Sequence, residues 1–216
     1  TGDAQVTLNA IKIGTLSGAS AGENVINIGS GWNCTVMFSG GCALNGTGEV
    51  LSTRATSWGL ATTPGINSWQ SVVYGNGLFV AVSSSGTGDR VMTSPNGSTW
   101  TSRTSAADNT WNSVTYGNGL FVAVSSTGTN NRVMTSPDGI TWTSRTSAAN
   151  NSWNSVTYAN GLFVAVSSTG TNNRVMTSPD GITWTIRTSA ANNAWSSVTY
   201  GAGLYVAVSN GGEATG

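Results

Sequence analysis

The 216 residues suffice for one all-β core, yet only 7% are charged, against roughly 25% in an ordinary soluble protein. Eight basic and eight acidic residues cancel, and the single Lys and seven Arg form no run, which argues against electrostatic binding of nucleic acid or an acidic membrane. The chain has no His, which removes Ser-His-Asp and Cys-His nucleophilic systems and most zinc sites.

In chain order, the first segment alternates polar and apolar residues. Gln5 to Ile13 does so over nine residues and Asn24 to Ile28 repeats the pattern, as half-buried strands do. The start at Thr1, without a charged-then-apolar leader, reads as a processed mature protein or an excerpt. Residues 27–68 follow as a degenerate repeat unit, in which Trp32 aligns with Tyr74 and Trp58 with Trp100. Cys34 and Cys42 lie here and are a possible disulfide. An extended run would hold them roughly 26 Å apart, beyond the roughly 7 Å a disulfide spans, whereas a hairpin at Ser39-Gly40-Gly41 would bring them together.

From residue 69 the sequence repeats. Trp69, Trp111, Trp153 and Trp195 are spaced by 42, as are Trp58, Trp100, Trp142 and Trp184, and a period of about 40–45 is the length of a propeller blade. Units 69–110, 111–152 and 153–194 are complete, and 195–216 holds half of one. Within the second unit four β-type runs are expected: Ser113 to Tyr116, Leu120 to Ser125, Arg132 to Ser136 and Ile140 to Arg145. Gly117-Asn118-Gly119 and Pro137-Asp138-Gly139 supply the hairpin turns. The run Leu120-Phe121-Val122-Ala123-Val124 is apolar throughout, as in a strand covered on both faces. The expected fold is therefore an all-β propeller of 42-residue four-stranded blades. Five blades are expected, with residues 1–26 completing the half blade at 195–216 or being donated to a neighbouring chain. A β-solenoid and a stack of separate hairpins are the competing readings.

Ser136-Pro137-Asp138-Gly139-Ile140-Thr141-Trp142 recurs at 178–184, and reads Ser94-Pro95-Asn96-Gly97-Ser98-Thr99-Trp100 in the first unit. This string resembles the Asp-box of sialidase-like propellers, with one residue fewer between Asp and Gly. The whole 42-residue unit is similar to repeats of bacteriophage tail-fibre and bacterial surface proteins. The resemblance implies a structural role for Asp138, Trp142, Asp180 and Trp184: the acid caps the hairpin and the indole packs between blades. It implies no catalysis by these residues. A sialidase needs an arginine triad with Tyr and Glu, whereas Arg90, Arg132 and Arg174 are copies of one position.

No catalytic residue, metal site or cofactor is expected, and no apolar run approaches the roughly 18 residues of a membrane-spanning helix. Low charge with abundant Thr, Ser and Gly points to an extracellular or virion-borne protein. The leading expectation is a structural or assembly subunit of a surface fibre or appendage, whose partner is another copy of itself. The alternative is a lectin-like module binding a host-surface glycan on the rim of longer loops. Its copies of one site would be Asn131 and Arg132 with Trp153, and Asn173 and Arg174 with Trp195. Amide and guanidinium groups beside an indole suit a sugar's hydroxyls and ring face. Against this, the same Trp residues are equally suited to fill space between blades.

Overall fold

The computed structural model describes residues 59–211 and, before them, the backbone of three short strands. The chain divides into two units, Thr1–Trp58 and Gly59–Gly216. In the first, β1 (Val36–Met37), β2 (Cys42–Leu44) and β3 (Val50–Ser52) form an antiparallel sheet in that order. Val36 lies opposite Leu44 and Cys42 opposite Ser52. The pairing of β1 with β2 matches the hairpin reading of this stretch. Cys34 and the strands expected within 1–26 lie outside the described residues.

The second unit repeats one antiparallel meander. The first blade holds β4 (Trp69–Gly75), β5 (Leu78–Ser83), β6 (Val91–Ser94) and β7 (Thr101–Arg103). The second holds β8 (Trp111–Gly117), β9 (Leu120–Ser125), β10 (Val133–Ser136) and β11 (Thr143–Arg145). The third holds β12 (Trp153–Ala159), β13 (Leu162–Ser167), β14 (Val175–Ser178) and β15 (Thr185–Arg187). A half blade of β16 (Trp195–Gly201) and β17 (Leu204–Ser209) follows, and strands run in chain order across every sheet.

Local chemistry sets these boundaries. The first two strands of the second blade are joined by Asn118 and Gly119, at φ 50° and 75°, and two consecutive positive-φ residues are what a type I′ hairpin turn requires. The first strand begins earlier than its apolar residues suggest, at Trp111, because a bulge lets Trp111 pair with Ser125 and Ser113 with Val124, leaving Asn112 unpaired. The fourth strand is shorter than expected, Thr143–Arg145 in place of 140–145. Residues 140 and 141 are held in the turn, their amides bonded to Asp138.

In the second and third blades the second strand lies between two apolar layers, which explains its unbroken apolar run. Phe121 and Ala123 pack with Val80, Val82 and Val91 of the preceding blade. Val122 and Val124 pack with Trp153, Met176 and Trp184 of the following one. Each such side chain, fully buried, contributes about 1.5–3 kcal/mol. The first strands β4, β8, β12 and β16 lie side by side, so successive blades stack face to face around them.

Candidate functional site

Asp138 caps the turn between the third and fourth strands. Its Oδ1 accepts the amides of Ile140 and Thr141, both at 2.8 Å, and the Ser136 hydroxyl at 2.8 Å. Ser136 Oγ in turn accepts the Gly139 amide at 2.8 Å. Trp142 Nε1 donates to Gly139 O at 3.0 Å, and its ring is buried. Asp180 and Trp184 repeat each contact. In the first blade Asn96 Oδ1 stands in the acid's place, accepting Ser98 and Thr99 amides at 2.9 Å, so a neutral acceptor makes the same amide bonds. The Thr141 amide is the main cause holding Asp138 below the usual carboxylate range, and the Thr183 amide does the same for Asp180; burial opposes both shifts.

The rim of longer loops is tied to itself. Arg132 Nε donates to Gly128 O at 2.8 Å and one Nη to Ser126 O at 2.7 Å, while Arg174 makes the same bonds to Gly170 and Ser168. Burial lowers the Arg132 pKa, without bringing a guanidinium near neutrality. Asn131 presents both its carbonyl and Oδ1 to Asn109 Nδ2, and Asn173 presents the same pair to Asn151. Trp153 is 0% exposed, its Nε1 donating to Ala149 O at 3.1 Å. Trp195 is half-buried and bonds Ala191 O at 3.3 Å. Asn131 and Arg132 thus share one loop, but Trp153 turns into the core between blades and offers that loop no ring face. Among the described residues, no three His, Cys, Asp or Glu side chains cluster as metal ligands.

The seams between blades use residues that strand patterning alone does not single out. Val114 N donates to Ser71 Oγ at 3.2 Å, Val156 N to Ser113 Oγ at 3.1 Å and Val198 N to Ser155 Oγ at 3.2 Å. Asn112, turned out by the bulge, donates to Trp153 O at 2.9 Å, and Asn154 to Trp195 O at 2.8 Å. Tyr116 covers Gly75 and Tyr158 covers Gly117, each ring filling the space a side chain on that glycine would need. The Trp-x-Ser-Val string that opens each unit, at Trp69, Trp111, Trp153 and Trp195, supplies the Ser and Val of this seam but does not by itself pair them.

On the first blade, Trp69, Ser71, Val72, Met92 and Trp100 line a concavity of ≈ 310 Å³. Val72 there is 59% exposed, whereas its equivalents Val114 and Val156 are 5% exposed. On the half blade, Val206 and Val208 are 52% and 57% exposed, whereas Val122 and Val124 are wholly buried.

No protein-family model matches this sequence, and no curated protein does. Solved structures share its fold. YCF48 bound to D1 peptide aligns with a TM-score of 0.53 at 20% identity, over 68% of this chain and 49% of that one. YCF48 from Cyanidioschyzon merolae aligns with a TM-score of 0.51 at 16% identity, over 68% and 51%. The computationally designed Ika4 protein aligns with a TM-score of 0.51 at 9% identity, over 72% of this chain and 100% of that one. This chain therefore spans about half the length of the YCF48 structures. The likeness concerns architecture alone: repeated four-stranded antiparallel blades of the β-propeller type.

Proposed function

We propose that the chain is a non-catalytic scaffold, a structural or assembly subunit of an extracellular or virion-borne surface fibre or appendage. One observation carries this reading: the Asp, Arg and Asn groups repeated from blade to blade bond within their own array, and neighbouring blades join through repeated Ser-to-amide and Tyr-on-Gly contacts. Asp138 and Asp180 are each held by three hydrogen bonds, which leaves neither placed as a free acid or base. Their turns support the kinship with Asp-box repeats, in which this position is a folding device. Five-blade closure by residues 1–26 remains part of the proposal.

The lectin-like alternative is favoured by Trp195, which keeps part of its surface open where Trp153 is wholly buried. A glycan array run beside size-exclusion chromatography of the full chain separates the two readings. Assembly without any glycan hit supports the scaffold. A monodisperse monomer with selective glycan binding overturns it.

A further inference from the structure

The outer strand of every complete blade ends in an arginine: Arg103 in β7, Arg145 in β11 and Arg187 in β15. In the second blade Arg145 lies opposite Val133, and Thr143, two residues before it, lies opposite Thr135. Side chains alternate along a strand, so Thr143 and Arg145 share one face with Thr135. Arg145 Nε donates to Thr135 Oγ1 at 2.9 Å, Arg103 Nε to Thr93 Oγ1 at 2.9 Å and Arg187 Nε to Thr177 Oγ1 at 2.8 Å. All three acceptors are buried. Each guanidinium is thus anchored on a fixed oxygen of its own sheet, by a bond that lies within one blade and recurs in all three.

The anchor uses Nε and leaves the two Nη groups for another partner. Among the described residues no acid pairs with any of these arginines: the one ion pair joins Arg90 to Asp108, and Asp138 and Asp180 are engaged in their hairpin caps. Arg103 and Arg145 are half-buried and Arg187 is exposed, while Thr101, Thr143 and Thr185 beside them are all exposed.

We propose that these three outer strands bind a linear acidic polysaccharide, one carboxylate to each blade. The Nη pair of a held guanidinium presents parallel donors that match the two oxygens of a carboxylate. The Thr hydroxyl, about 7 Å along the same face, donates to or accepts from a sugar hydroxyl. Zero net charge gives no field that would gather a densely charged nucleic acid, whereas single forks set one blade apart suit a polymer whose charges are spaced. Three equal sites add avidity to weak single contacts. The site goes beyond the scaffold reading and does not rest on it. It lies on the outer strands, apart from the seams that join the blades and from the rim loops that hold Asn131 and Arg132.

The test is affinity electrophoresis of the full chain through gels containing alginate, a polymer of uronic acids, with carboxyl-esterified alginate as the uncharged control. The parent is expected to be retarded by alginate and not by the ester. Arg103→Gln, Arg145→Gln and Arg187→Gln should each weaken binding by about two- to fivefold, and the triple variant should abolish it. Arg145→Lys keeps the charge without the fork and should lose as much as Arg145→Gln. Circular dichroism checks that each variant keeps the parent fold. The combined Thr101→Ala, Thr143→Ala and Thr185→Ala variant changes exposed positions alone, so it carries the test even if an arginine variant fails to fold, and it too should bind more weakly. No retardation by alginate, equal retardation by the ester, or unchanged binding by either triple variant overturns the site. A Lys variant that binds as the parent does overturns recognition by the fork. Size-exclusion chromatography without polysaccharide reports assembly separately, so failure of this site leaves the scaffold reading standing.

Discussion

The ring of Tyr158 occupies the space that a side chain on Gly117 would need, as Tyr116 does at Gly75. One junction later Ala159 stands at the glycine's position, while Tyr200, the equivalent of Tyr158, is unchanged and a second residue of the next sheet differs. Tyr205, the equivalent of Phe163, donates its hydroxyl to the Ala159 carbonyl and, at 3.1 Å, to that of Leu162. Burial is the main cause raising the Tyr205 pKa. The two substitutions are expected to act as a compensating pair. Gly117→Ala alone is expected to cost about 1–3 kcal/mol by overpacking. Adding Phe163→Tyr should recover about 0.5–1.5 kcal/mol through the hydroxyl bond, while Phe163→Tyr alone gains nothing. A double-mutant cycle in urea checks this, and strictly additive effects would refute the pairing.

The hairpin caps predict a specific response to acid. Asp138 and Asp180 have folded-state pKa values below the ordinary one, which is about 3.9 in an unfolded chain. Their contribution to stability is complete above that value and is lost as pH falls through the lower folded-state pKa. Because Asn96 makes the same amide bonds without titrating, Asp138→Asn with Asp180→Asn should keep stability near neutral pH and flatten its decline below about pH 4. Asp138→Ala should lose about 1–2 kcal/mol at any pH above that decline, as removal of a capping acceptor does at helix ends. Thermal melts across pH check both, and an Asp138→Asn variant as unstable as Asp138→Ala would show that the charge itself matters.

What could be read from the sequence is what local chemistry decides. Asn118-Gly119 and Pro137-Asp138-Gly139 mark turns by their own backbone preferences, and the 42-residue ladder of Trp residues marks the blade. The pairing across the seam was not legible: Ser and Val recur in the Trp-x-Ser-Val string, but Ser71 with Val114 and Gly117 with Tyr158 are about one blade apart in sequence and nothing local pairs them. Trp153 illustrates the remaining difficulty. Its composition and loop neighbourhood fit a sugar platform as well as a core residue, and only its placement between β-sheets, at 0% exposure, distinguishes them.

That placement predicts unequal costs for the same substitution. Trp153→Ala empties a site packed by Val122, Val124 and Met176, and loss of a fully buried Trp typically costs about 3–5 kcal/mol. Trp195→Ala, at a half-buried position, should cost clearly less. Equilibrium denaturation of the two variants checks the order. Equal stability of both with the parent would mean that the rings are not packing elements, and would return weight to ligand binding.

The three Ser residues that close the rim loops predict the opposite sign. Ser105, Ser147 and Ser189 are buried, and each hydroxyl lacks a partner among the described residues, although their amides bond Gly88, Asn130 and Asn172 carbonyls at 3.2–3.3 Å. A buried polar atom without a partner costs about 1–3 kcal/mol. Ser147→Ala keeps the amide bond and removes the orphan oxygen, so the melting temperature should hold or rise. A clear fall would reveal that an ordered water satisfies the hydroxyl.

The half blade offers a gain in stability from a single turn residue. Its hairpin places Ala202 at φ 50° and Gly203 at φ 83°, where the complete blades have Asn76, Asn118 and Asn160 at φ 48°, 50° and 47°. A left-handed backbone brings Cβ close to the following carbonyl, which costs most residues about 1–2 kcal/mol, while Asn offsets this by local hydrogen bonding. Ala202→Asn should therefore stabilise the hairpin of β16 and β17 by about 0.5–1 kcal/mol, and Asn118→Ala should lose a similar amount in the second blade. The readouts differ because the positions differ. β16 and β17 form a two-stranded sheet whose Val206 and Val208 are more than half exposed, and such weakly packed elements open locally before global unfolding, so Ala202→Asn is expected to slow amide exchange in 195–209 before it moves the global melting temperature. Asn118 closes the hairpin of a blade packed on both faces, so Asn118→Ala should lower the melting temperature directly. If Ala202→Asn left exchange in 195–209 unchanged while Asn118→Ala destabilised the array, turn strain in the two-stranded sheet would be excluded as a source of its opening.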